Sequence, residues 1–143
     1  TLQPWLRTGG GVVSDIKPIE AFTDERKLAL LFIQMILNAT PGFRLEDRVA
    51  ERFPEMNRQQ TLRYMFQIQV MLRDVLACHA GRSDAVINGD MLQELQSLTS
   101  RLMPPHVFQI NDLVKKAKNR VFYNISIQQL ITVMLAEARK VVS

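Results

Sequence analysis

Between one proline or glycine stop and the next, the apolar residues of this chain recur three and four positions apart, with no sustained alternation. That spacing draws a single stripe along a helix, whereas a half-buried strand needs period two. Leu28, Leu31, Phe32, Met35 and Ile36 form the first stripe, opened by Thr23-Asp24-Glu25 as cap and first-turn acids and stopped by Pro41-Gly42. Leu45, Val49 and Phe53 give a short second helix that Pro54 closes. Asn57-Arg58-Gln59-Gln60 has the pattern of a capping box and opens the longest helix, to about His79. More than half of that helix's circumference is apolar, which predicts a central element buried on several sides. Gly81 ends it. Asp90 is placed to cap a fourth helix striped by Leu92, Leu95, Leu98 and Leu102, and Pro104-Pro105 start a fifth. Asn124 to Ser126 cap a last helix with Ile127, Leu130, Ile131, Met134, Ala138 and Val141 inward. Asn88-Gly89 lies between helices and not between two β-type runs, so the expected fold is all-α.

The expected architecture is one bundle-like domain of six helices over residues 23–143, behind a flexible N-terminal tail or linker over residues 1–22. Gly9-Gly10-Gly11 holds half of the six glycines, flanked by Pro4 and Pro18, and reads as linker. It does not read as a phosphate loop, because Val12-Val13-Ser14-Asp15 follows with no lysine to reach a phosphate. A length of 143 residues suits one domain, and 47% apolar with 22% charged residues suits a packed core. The longest apolar run, Leu28 to Leu37, is broken by Gln34 and falls short of the ~18–20 residues that cross a bilayer. With no basic-then-apolar leader and a single cysteine, the expected compartment is the cytoplasm.

Candidate chemistry is sparse. Cys78-His79 is the one pairing that invites a nucleophile reading, yet helical neighbours point about 100° apart and cannot share a proton or a metal. His106 follows two prolines in a first turn and is expected to be exposed. The acid pairs Asp24-Glu25 and Glu46-Asp47 sit at expected helix starts, where the dipole accounts for them. No catalytic, cofactor-binding or metal site is expected, and no small-molecule substrate. Asn88, Asp90 and Asn124 are read as structural turn and cap residues.

The charge distribution supplies the alternative reading. Residues 1–103 balance twelve Lys/Arg against twelve Asp/Glu, so the whole net charge of +4 lies in residues 104–143. Lys115, Lys116, Lys118 and Arg120 make a basic run there, a candidate surface for nucleic acid or an acidic partner. Helical geometry scatters the four around a solvated face, and no aromatics interleave within the run.

The order of features also resembles a known family. The long helix ends in Met71-Leu72-Arg73-Asp74-Val75-Leu76, followed by Gly81 and Val86-Ile87-Asn88-Gly89-Asp90. A leucine-striped helix then ends Arg101-Leu102-Met103-Pro104, and Asn124 leads into Gln129-Leu130-Ile131-Thr132-Val133-Met134-Leu135. Over residues 24–142 this resembles the C-terminal collar domain of bacterial DNA polymerase III clamp-loader subunits, most like the delta prime branch, with gamma/tau subunits carrying a related collar. The resemblance implies a non-catalytic oligomerisation domain that packs against neighbouring gamma/tau and delta subunits in a pentameric collar, serving sliding-clamp loading in DNA replication. DNA would be met only through the full complex. The ATP-binding lysine motif, the trans-acting arginine motif and the zinc module of full-length members have no counterpart in these residues.

Overall fold

The computed structural model describes residues 12–38, 44–123 and 125–143, with side chains from Glu25 onward. Six α-helices make up the described fold: α1 (Val12–Leu37), α2 (Leu45–Arg52), α3 (Arg58–His79), α4 (Leu92–Leu98), α5 (Pro104–Arg120) and α6 (Ile127–Val142). Two 3₁₀ turns, Ser83–Ala85 and Gly89–Met91, carry the chain from α3 into α4. The fold is all-α, as the three-and-four spacing predicts.

The long helix α3 is the hub. It packs against α1, α4 and α5, while α6 closes the other side against α1, α2 and α5. Its Met65, Ile68, Met71, Leu72 and Val75 are buried together with Phe32 and Ile33 of α1 and Ile110 and Val114 of α5. Each such side chain withdrawn from water contributes about 1.5–3 kcal/mol, so truncating one of the innermost, such as Ile68→Ala, costs about 2–5 kcal/mol. Tyr64 fills the junction of α1, α2 and α3, edge-on to Phe32 and Phe53 at 6.3 and 5.8 Å between ring centroids.

Local signals set several boundaries. Asn57 and Gln60 complete the capping box in both directions, with the Gln60 N–H donating to Asn57 Oδ1 at 2.8 Å and the Asn57 N–H donating to Gln60 Oε1 at 2.9 Å. At the other end of α3, Gly81 takes a left-handed φ of +70°. There the Arg82 N–H donates to the Ala77 carbonyl and the Gly81 N–H to the Cys78 carbonyl, which satisfies two carbonyls of the last turn. Ser126 caps α6 by accepting from the Gln129 N–H.

The start of α1 differs from expectation. The helical backbone described from Val12 runs through Thr23-Asp24-Glu25, so that triplet lies in the helix interior and not at a helix start. Of the segment read as linker, residues 1–11 lie outside the described residues and residues 12–22 belong to α1. Glu25 is therefore not a first-turn acid. It is 5% exposed and accepts from Arg63 Nε with both carboxylate oxygens, at 3.1 and 3.0 Å, tying α1 to α3. The far end of α1 is held by two guanidiniums: Arg101 donates to the Leu37 carbonyl and Arg139 to the Met35 carbonyl at 3.0 Å. Cations suit the carbonyl-rich end of a helix.

Candidate functional site

The loop after α3 is built on a buried carboxylate. Asp74, 1% exposed, accepts from the Ile87 N–H at 2.8 Å, the Asn88 N–H at 3.0 Å and Asn88 Nδ2 at 2.8 Å. Asn88 is itself 4% exposed, so it does stabilise the turn, through Asp74 and not by bonding its own backbone. Asp90 departs from its expected role. The residue before α4 is Met91, with no side-chain cap, and Asp90 instead takes Arg26 Nη2 on both oxygens at 2.5 and 2.6 Å. That guanidinium, hydrogen-bonded and close by, holds the Asp90 carboxyl below its ordinary range. A one-residue shift in the start of α4, taken up by the Gly89–Met91 turn, frees Asp90 for the longer-range pair. Asn124 lies outside the described residues, and among those described Ser126 supplies the α6 cap.

The basic run divides between two sides of α5. Lys116 and Arg120 line a shallow cleft with Leu130, Val133 and Glu137 of α6. Lys118 faces the opposite way: its ammonium donates to Gln69 Oε1 at 3.1 Å and stands 5.9 Å from the centroid of the Phe66 ring, both on α3. Gln69 also donates to Asn111 at 3.1 Å, which pins the two helices together at this level.

That side of α5 carries what the sequence reading left out. Phe108, Asn111, Lys115 and Lys118 recur at three and four, one stripe along the α3-facing edge, and Phe122 follows four residues on, in the turn after the helix. Phe108 and Phe122 are 59% and 67% exposed, and Phe66 of α3, under the Lys118 ammonium, is 54% exposed. Aromatics therefore do interleave with the basic residues; they come from beyond the ends of the run and from the neighbouring helix. Phe66, one of the apolar residues that cover more than half of the central helix, is on its open edge. The signal was present in the spacing of Phe108 and Phe122, whereas Phe66 becomes visible only once α3 and α5 are paired.

Both histidines bond the backbone, and the surroundings of the thiol disfavour its thiolate. His79 Nε2 meets the Leu102 carbonyl at 2.7 Å, and His106, half-buried, accepts from the Met103 N–H on Nδ1 at the start of α5. Burial pushes the Cys78 thiol up and the Asp74 carboxylate adds to it, the reverse of nucleophile activation. Among the described residues no three His, Cys, Asp or Glu side chains converge as a metal site would require. An open groove between α2 and α6, lined by Phe53, Met56, Gln128 and Ile131, brings in only one ionisable group, Glu55. No described helix is long and apolar enough to cross a membrane. Comparison with protein-family models, with curated proteins and with solved structures returns no match for this chain.

Proposed function

We propose that this chain is a non-catalytic assembly domain of a replicative clamp loader, of the collar type, most like that of a delta prime subunit. The observation that carries the reading is one of order. A long central helix ends at a glycine, passes through the Asn88-Gly89-Asp90 turn seated on Asp74, enters a leucine-striped helix and reaches Met103-Pro104. The same succession carries the sequence resemblance. The partners are gamma/tau and delta subunits, met through two different faces, since a ring of unlike subunits requires heterologous contacts. The test is co-expression with those subunits followed by size-exclusion chromatography. Co-elution at stoichiometric ratio is the expected result, and elution of this chain by itself overturns the proposal.

A second reading draws on the α5 stripe. Exposed Phe66 and Phe108 beside Lys115 and Lys118 combine the aromatic and cationic groups of a nucleic-acid surface. Anisotropy with labelled duplex and single-stranded DNA at 150 mM salt separates the two readings. Micromolar binding, lost when Lys115, Lys116, Lys118 and Arg120 are neutralised, favours the second.

A further inference from the structure

We infer that the open face shared by α3 and α5 is the seat for an amphipathic helix of a neighbouring protein subunit, its apolar stripe edged by Asp and Glu; this rests on the assembly reading above. The two helices run antiparallel, as Arg58 near the start of α3 bonding the carbonyl of Val121 after the end of α5 shows. Their shared edge exposes Phe66 and Phe108, at 54% and 59%, and Phe122, 67% exposed, lies in the turn just after α5. Phe108 and Phe122 are fourteen positions apart, and α5 itself covers the first twelve of them, about 18 Å along the helix axis, a span that a partner helix of three to four turns matches. Exposed rings in line at that spacing are the material of an interface centre.

Charge says what edges the partner. Lys118 stands over the Phe66 ring, Lys115 lies on the same stripe of α5 and Arg73 two turns beyond Phe66 on α3; against these three cations the edge of the stripe carries one exposed acid, Asp112, since Asp74 is turned into the loop. A partner with basic flanks is repelled there, and one with acidic flanks meets three cations. Lys118 decides between protein and nucleic acid. Its ammonium already stands over the Phe66 ring and is bonded to Gln69. A base stacking on that ring face must displace the cation, whereas a carboxylate bonds the ammonium where it is. The four basic residues of the run are also divided between two sides of α5, so a phosphate backbone reaches only part of them.

Two labelled helical peptides of about 16 residues test the face. They share a leucine stripe and differ only in flanks of Glu or of Lys; a labelled dT oligonucleotide is the third probe. The intact chain should bind the Glu-edged peptide at least about tenfold tighter than the Lys-edged one, and the oligonucleotide should not displace it. Phe66→Ala with Phe108→Ala should weaken Glu-edged binding about tenfold or more, with the thermal melt unchanged because both rings are exposed. Lys115→Glu with Lys118→Glu should reverse the flank preference. Equal binding of both peptides, no binding of either, or displacement by dT overturns the inference. The assembly reading has its own outcome: clamp-loader subunits that co-elute equally with the Phe66/Phe108 variant leave the assembly standing and remove this face from it.

Discussion

Asp74 holds Asn88 twice, accepting from both its backbone N–H and its side-chain amide on the same carboxylate oxygen, at 3.0 and 2.8 Å. The other oxygen takes the Ile87 N–H at 2.8 Å, so three donors of a loop thirteen and fourteen residues downstream converge on one side chain of α3. The loop's direction into α4 is fixed by that single carboxylate.

Removing the carboxylate strands three donors, two of them on a residue that is itself buried. Asp74→Ala should destabilise the fold by about 2–5 kcal/mol, and Asn88→Ala, which deletes one of the three bonds, by about 1–2 kcal/mol. Urea midpoints at constant slope measure both. Equal costs for the two variants would mean that the loop is held elsewhere.

Asp90 should behave as an ion-pair member and not as a cap. Its side chain is 65% exposed, so screening limits the Arg26 pair to under about 1 kcal/mol at physiological salt. Asp90→Ala should fall within that limit, and 1 M salt should shrink the difference further. The sign of the pH dependence follows from the lowered folded-state pKa: the contribution is present at neutral pH and is lost as pH falls below roughly 4. A cost of 2 kcal/mol that ignores salt would restore the capping role.

Cys78 should alkylate slowly. Burial and the Asp74 carboxylate both disfavour its thiolate, so iodoacetamide at pH 7.5 should react more slowly than with the urea-unfolded chain. Asp74→Asn removes the negative charge and should raise the rate if the fold holds by circular dichroism. A native thiol faster than the unfolded one would contradict this electrostatic account.

Tyr64 offers a substitution that should not hurt. Its ring is fully buried and its hydroxyl has no hydrogen-bond partner among the described residues. An orphaned buried hydroxyl costs about 1–3 kcal/mol, so Tyr64→Phe should leave stability unchanged or raise it within that range. A lower melting temperature for the variant would reveal a partner for the hydroxyl.

What was legible in the sequence was what is local. The capping box at Asn57 and Gln60, the stop at Gly81 and the proline start of α5 each depend on residues within a turn of one another, and each stands where its pattern put it. The stripes were legible too, because burial repeats with the helix. The failures are long-range. Glu25 was explained by a helix dipole, yet its partner Arg63 is 38 positions away, and Asp90 by a cap, yet Arg26 is 64 away. A local account that suffices on paper loses to a partner that only packing delivers. Phe66 shows the same limit, since an apolar residue on a largely apolar helix carries no mark of which edge stays open.

The grip of Arg139 on the Met35 carbonyl has a consequence in time. The two residues are 104 positions apart, so at a synthesis rate of about 5–20 residues per second the end of α1 waits roughly 5–20 s for its last partner. During that interval α1 has α3 to pack against, and the apolar side later covered by α6 stays open. A nascent chain of this fold is therefore sticky until α6 emerges from the ribosome and docks against α1, α2 and α5.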